Sequence, residues 1–307
     1  FRGGGLVWVD ANPKTEKNHE FVRNAVALHE VGLKAPEVRG VDYDLGLLAV
    51  TDLGDTQLIG CLDESNVLAW YGKAIALLPR LGAVELELEP FDAAFMAREN
   101  AIFPEWLLGQ HLQLTLSAEE EQLLAETFAC LTANNLAQPQ GVMHRDFHSR
   151  NLMVCGGQTP GESELAIIDF QDMVIGPLSY DLVSLLKDCY VRWPDEVIEQ
   201  GMRQGFETLR QAELLGGLDY AAFRRAADLT GMQRHLKAAG IFTRLWHRDG
   251  KSGYLKDIPR TLDYVVDVCR THGESYPVLV RFGAWLEQVV LPGLTRVAEA
   301  RADGAAS

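Results

Sequence analysis

No stretch of the sequence approaches the roughly 18 consecutive apolar residues that span a bilayer, and its start carries no basic-then-apolar leader. Positive charge is scarce: 28 Lys and Arg face 43 Asp and Glu, for a formal charge of -15. A surface of that sign repels nucleic-acid backbones and anionic membranes alike, so neither is expected as a partner. Protein partners are left open. Cys61, Cys130, Cys155, Cys189 and Cys269 form no C-x-x-C pair, which argues against a zinc ribbon or a disulfide framework and reads as reduced thiols. A cytoplasmic protein fits these absences. There is no internal repeat, and no low-complexity segment before the polar tail after Glu299. An initiator methionine is also lacking, and Leu6-Val7-Trp8-Val9 reads as a strand already under way, so part of the amino-terminal region is expected upstream of Phe1.

What is present is apolar bulk: 47% of 307 residues, enough to bury one large core or two unequal lobes. The pattern predicts a strand at 6–9, a helix over Lys17–Val31 stopped by Gly32, and a hairpin of Glu37–Val41 and Leu45–Val50. After the break at Thr51-Asp52-Leu53-Gly54-Asp55 the spacing turns helical in blocks near 65–81, 92–113, 118–136, 178–192, 195–215, 219–245, 258–272 and 276–301. Only Leu152–Cys155 and Leu165–Asp169 read as strands there. The expected architecture is α+β, with a small strand-rich lobe and hinge over 1–54 and a large helical lobe over 55–307.

Chemistry concentrates in His144-Arg145-Asp146-Phe147-His148-Ser149-Arg150-Asn151, an Asp five residues before an Asn on a loop that enters a strand. Phosphoryl transfer needs a carboxylate to orient the attacking hydroxyl and take its proton, and an oxygen ligand for Mg²⁺ beside the phosphates; Asp146 and Asn151 suit those roles. After a turn containing Gly156, Gly157, Pro160 and Gly161, a second apolar strand ends in Asp169-Phe170-Gln171. A hairpin of this length brings Asp169 back beside Asn151, so the two can share one metal. The pair in this order is specific where neither motif alone is, because an isolated Asp ending a strand is usually a turn or cap residue. His144 reads as structural. His144, Asp146 and His148 also allow a metallohydrolase reading, but no further ligands stand at a suitable spacing.

Asp181 follows Asp169 by only twelve residues, at the head of a helix, which leaves no room for the activation segment of a protein kinase. The acceptor is therefore expected to be a small molecule. Here the sequence resembles the aminoglycoside phosphotransferase and choline kinase superfamily, whose members carry H-x-D-x-H-x-x-N, then a metal Asp, then G-x-x-x-x-D-L. His144, Asp146, His148 and Asn151, then Asp169, then Gly176, Asp181 and Leu182 fall on those places. The resemblance implies a protein-kinase-like two-lobed fold, ATP and Mg²⁺, and a structural Asp181 bracing the catalytic loop along with His144 and His148. Asp172 reads as a solvated loop carboxylate that could also approach the metal.

Segments around Arg98–Trp106, Leu186–Pro194, Gly231–Lys237 and Ile241–Lys251 look more narrowly like the bacterial kinases of cell-wall (peptidoglycan) recycling that phosphorylate N-acetylmuramate and N-acetylglucosamine at the anomeric hydroxyl. That likeness implies an amino-sugar substrate, with Glu99, Glu105, Arg234 and His235 as candidate contacts. The positive charge gathered in Arg234, His235, Lys237, Arg244, His247, Arg248 and Lys251 would repel a polycationic aminoglycoside and attract a carboxylate, although a solvated helix face explains it equally well. Trp106, Tyr190 and Trp193 can stack on a sugar ring or serve as core.

One expected part has no clear place. A kinase brings a strand lysine, paired with a helix glutamate, to the phosphates, whereas Leu6–Val9 runs into Asp10-Ala11-Asn12-Pro13. Lys14 and Lys17 stand nearby, and Glu20 and Glu30 lie on the next helix, none in a convincing register. Gly3-Gly4-Gly5 reads as a hairpin turn after the strand residues Phe1-Arg2. Adenine is expected against the backbone of Thr51, Asp52, Leu53 and Gly54. The rival readings are a kinase for aminoglycoside, choline-like or homoserine-like acceptors, and a pseudokinase that binds nucleotide without turnover.

Overall fold

The computed structural model describes residues 5–305, so Phe1-Arg2 and most of the Gly3–Gly5 turn lie outside the described residues. The fold is protein-kinase-like, a small β-strand lobe with a larger helical lobe. The chain groups into two compact units, one of 1–90, 139–188 and 193–223 and one of 91–138, 189–192 and 224–307.

In the first unit, β1 (Leu6–Asp10), β2 (Val38–Asp42) and β3 (Leu47–Thr51) form an antiparallel sheet in the order β1-β3-β2. Trp8 pairs with Ala49, and the register shifts between Val38 and Gly40. Between β1 and β2 runs α1 (Asn18–Glu30), which buries Ala25, Ala27 and Leu28. The helix expected over 65–81 is two, α2 (Val67–Ile75) and α3 (Leu78–Gly82). Pro79 explains the split, because it cannot donate to the carbonyl four residues earlier.

In the second unit, α4 (Ala93–Asn100) is capped by Asp92, whose carboxylate accepts from the Phe95 N–H at 2.8 Å. The expected block 92–113 then relaxes into a π-helical stretch, Phe103–His111, with Pro104 at its start. The helix α5 (Ala118–Leu136) begins at a capping box, Ser117 and Glu120 each accepting from the other's backbone N–H, and its bounds match the expected 118–136.

The first unit resumes with two short strand pairs. β4 (Gln140–Met143) pairs with β7 (Val174–Pro177), and β5 (Leu152–Gly156) pairs with β6 (Ser163–Ile167). The hairpin of β5 and β6 lies where two strands were expected, although β6 ends at Ile167 and leaves Asp169 beyond it, while β4 and β7 were not foreseen. After β7 come α6 (Ser179–Leu186) and α7 (Asp195–Gln211). These two helices pack closely because a β-carbon at Gly205 would lie 2.4 Å from the Leu182 side chain.

Most of α8 (Tyr220–Asp249), with α9 (Ile258–His272), α10 (Pro277–Trp285), a π-helical link Leu286–Val290 and α11 (Leu291–Ala305), completes the second unit. Its core is built on Phe103, Leu107, Leu131, Leu236, Leu262 and Phe282, all fully buried. Pro292, four residues beyond Gln288, removes a helical donor at the π-helical link. No helix among the described residues is long and apolar enough to cross a membrane.

Candidate active site

The loop between β4 and β5 carries His144 to Asn151, and its shape is fixed by bonds to its own backbone. Asp146 O accepts from His148 N at 3.0 Å and from Asn151 Nδ2 at 3.0 Å, and His148 O accepts from Asn151 N at 2.9 Å. His144 Nδ1 accepts from Asp146 N at 3.3 Å while Nε2 lies 2.9 Å from Ile168 O. Together these contacts assign the ring hydrogen to Nε2. His144 thereby ties the loop to the residue just before Asp169.

Beneath the loop stands Asp181, in the first turn of α6 and wholly buried. Its Oδ2 accepts from His144 N at 2.6 Å and its Oδ1 from Arg145 N at 3.0 Å. Arg145 has a left-handed backbone, φ 76°, and a carboxylate that holds two successive N–H groups is what stabilises such a turn. Burial pushes the Asp181 carboxyl up to about 6, against the pull of His144 and the two N–H groups.

This shift gives two opposite pH trends. The folded-state value lies above the unfolded one, so this group's contribution to stability falls as pH rises from about 4 to about 6 and is flat above that. The carboxylate that braces the loop, by contrast, is fully formed only above about 6. kcat/KM is therefore expected to rise with pH through that value while stability falls. Asp181→Asn, which cannot titrate, is expected to lose the inflection, as pH–rate profiles of both proteins will show.

A second buried carboxylate was not foreseen. Asp188, fully buried just past α6, accepts from Ser149 Oγ at 2.5 Å and Ser149 N at 3.2 Å, anchoring the far half of the loop. The available signal was its context: Lys187-Asp188 stands in an otherwise apolar run, and both residues are buried. Expected as helix through 192, that run leaves helical geometry at Lys187.

Asn151 Nδ2 also donates to Asp169 Oδ2 at 3.2 Å, so the two motifs meet across the base of the β5–β6 hairpin. Asp169 has φ 63°, a conformation Asp tolerates better than most residues, and its Oδ1 accepts from Gln171 Nε2 at 2.7 Å. Both Asn151 and Asp169 line a cavity of about 410 Å³ whose wall also includes Val9, Lys17, Phe21 and Leu48. At the connector, Asp52 N donates to Gly5 O at 2.9 Å, Gly54 N donates to Asp52 Oδ1 at 2.8 Å, and Thr51 N donates to Glu37 O at 3.0 Å. Leu53 packs on Met153, Cys155 and Ala166.

The residues expected to touch substrate lie in the second unit. Glu99 is buried and pairs with Lys237 at 3.0 Å, with Gln233 Nε2 3.4 Å away. Buried Arg234 lies 3.5 Å from Cys189 Sγ, and buried His235 stacks on Tyr264 at 4.9 Å. Glu105 is exposed on the π-helical stretch. Much of the basic run of α8 is answered within the unit, Lys237 by Glu99 and Arg248 by Asp249. Of the aromatics, Trp193 belongs to the first unit, where it is buried with Nε1 donating to Tyr71 OH at 2.9 Å. Tyr190 packs among Phe242 and Tyr254.

The phosphotransferase enzyme (APH) family model matches residues 4–215. A protein of Neisseria meningitidis named N-acetylmuramate/N-acetylglucosamine kinase is 38% identical over 285 residues, 90% of this chain and 82% of that protein. One of the same name from Pseudomonas putida is 34% identical over 268 residues, 87% and 77% of the two chains. Among solved structures, the ethanolamine kinase of Plasmodium vivax has a TM-score of 0.62 at 10% identity, covering 87% of this chain and 76% of that one, a likeness of fold alone.

Proposed function

Because this chain belongs to the phosphotransferase enzyme (APH) family, we propose that it transfers the γ-phosphoryl group of ATP to the anomeric hydroxyl of N-acetylmuramate or N-acetylglucosamine, giving the sugar 1-phosphate. The observation that carries this reading is the match to relatives of that printed name over 86% to 90% of the chain, on top of a loop whose residues can perform the transfer. Asp146 accepts a hydrogen bond from the sugar hydroxyl, aligns its oxygen with the γ-phosphorus and takes its proton as the new O–P bond forms and the bond to ADP breaks. His144, His148 and Asp181 hold that loop in shape.

Asn151 and Asp169 fit Mg²⁺. The Asn151 amide nitrogen is committed to Asp146 O and Asp169 Oδ2, which leaves its oxygen, with the Asp169 carboxylate, as hard donors. Two protein ligands suit an ion that arrives with nucleotide phosphates, and when bound it neutralises charge on their oxygens. Adenine rests on the backbone of Thr51 to Gly54, with Leu53 and its apolar neighbours below, and the lobes divide there. Glu99, Glu105, Arg234 and His235 are the proposed sugar contacts. Free thiols at all five cysteines support a reducing, cytoplasmic setting.

ATP consumption with Mg²⁺ tests the proposal on N-acetylmuramate, N-acetylglucosamine, kanamycin and choline. Turnover on the amino sugars alone is expected. Turnover on the cationic acceptors alone would overturn the substrate while leaving the fold intact.

A further inference from the structure

The strand that should carry a phosphate-binding lysine ends at Asp10, and the sequence leaves Lys14 and Lys17 as unplaced candidates. The structure separates them. Exposed Lys14 is held at its backbone N–H by Asn12 Oδ1, at 3.0 Å, and does not line the cavity. Lys17 does, and among the described residues that line it Lys17 is the only cationic side chain.

The neighbours that share the wall with Lys17 include Glu16 and Asp169, both acidic. A nucleoside triphosphate entering that space brings several negative charges of its own, so it needs every cation within reach. The position of Lys17 is also set relative to Asp169. Phe21, one turn into α1, stacks on Phe170 with ring centroids 4.8 Å apart, and Asn24 Nδ2 donates to Phe170 O at 2.9 Å. The start of α1 is thus clamped to the residue that follows Asp169.

Lys17 Nζ rests 2.6 Å from Asp172 Oδ1, with both side chains about half exposed. A pair so exposed is weak and screened by salt, so phosphate oxygens can displace the carboxylate. We propose that Lys17 is the phosphate-binding lysine of this enzyme, displaced from the strand to the head of α1, and that Asp172 holds its ammonium at the mouth of the cavity until a nucleoside triphosphate replaces that carboxylate. The inference rests on the phosphotransferase reading above but adds a residue and a nucleotide-dependent exchange of partners.

The test measures Mg-ATP binding by titration calorimetry alongside steady-state turnover, in wild type, Lys17→Ala, Lys17→Arg and Asp172→Asn. Lys17→Ala is expected to weaken ATP binding and raise the KM for ATP on the order of tenfold, the loss of one charge-assisted contact. The KM for the sugar should stay unchanged, and arginine should restore most of the loss. Asp172→Asn should act in the opposite direction and tighten ATP, because the competing carboxylate is gone. Equal weakening in Lys17→Ala and Asp172→Asn would mean that the pair is only a structural tether, and unchanged ATP binding in Lys17→Ala would remove the lysine from the site. Either result overturns the inference. Calorimetry reads it even on a protein that turned over no amino sugar, so failure of the substrate proposal is seen separately.

Discussion

Asp146→Asn is expected to lower kcat by about 10²–10⁴-fold, the usual worth of a positioned general base. ATP binding and melting temperature should stay close to wild type. The reason lies in which atoms of residue 146 hold the loop. Its carbonyl accepts from His148 N and Asn151 Nδ2, and its N–H donates to His144 Nδ1. Asparagine keeps those backbone groups and loses the carboxylate charge, and with it the ability to take a proton. The Asp146 charge also adds to the upward shift of Asp181, so the substitution should relax that brace slightly rather than strain it. Single-turnover rates and nucleotide titration on the same preparation separate the two effects. A fall in ATP affinity as large as the fall in rate would mean that Asp146 works through the nucleotide instead.

The largest expected loss of stability comes from Glu99→Ala. Glu99 and Lys237 bridge α4 and α8 with side chains 7% and 8% exposed. Removing one member of such a buried pair costs about 3–5 kcal/mol, because the remaining charge keeps its desolvation penalty without its main compensation. The surface pair of Arg192 with Asp267, 2.7 Å apart with side chains 33% and 43% exposed, is the control. Its loss should cost about 1 kcal/mol or less, as exposed pairs do. Urea unfolding of Glu99→Ala and Asp267→Ala gives both numbers. Replacing Glu99 and Lys237 together by apolar residues should recover much of the single loss. A single mutant that unfolds like wild type would show the pair to be as weakly coupled as a surface one.

The candidate residues of the proposed catalytic loop were legible because the chemistry of phosphoryl transfer places few residue types in a narrow order. Asp146, Asn151 and Asp169 are separated by spacings that a hairpin explains, and that hairpin is present as β5 and β6. The strands β4 and β7 were not legible. Each is four residues long, and Gly141, Gly176 and Pro177 give them the composition of turns. Long helices were read well where a cap declared their start, as at Ser117, and badly where a proline sat inside an apolar block. Pro79, Pro104 and Pro292 each interrupt a run that periodicity alone continues.

Asp188 was missed for a different reason. A brace is defined by what it reaches, and nothing local to Lys187-Asp188 points to Ser149, thirty-nine residues earlier. Lys17 was seen but could not be ranked against Lys14, since what places the head of α1 beside Asp169 is the Phe21–Phe170 stack, a contact between segments far apart in the chain.

The most direct measurement of the central proposal is the structure of the product. Phosphorus and proton NMR on the reaction of the full-length protein with ATP and N-acetylglucosamine is expected to show phosphorus coupled to the anomeric proton. The product should have lost its reducing end and release phosphate in mild acid. Phosphorus coupled to the protons of C6 instead, with the reducing end intact, would contradict an anomeric kinase even if ATP were consumed at a good rate.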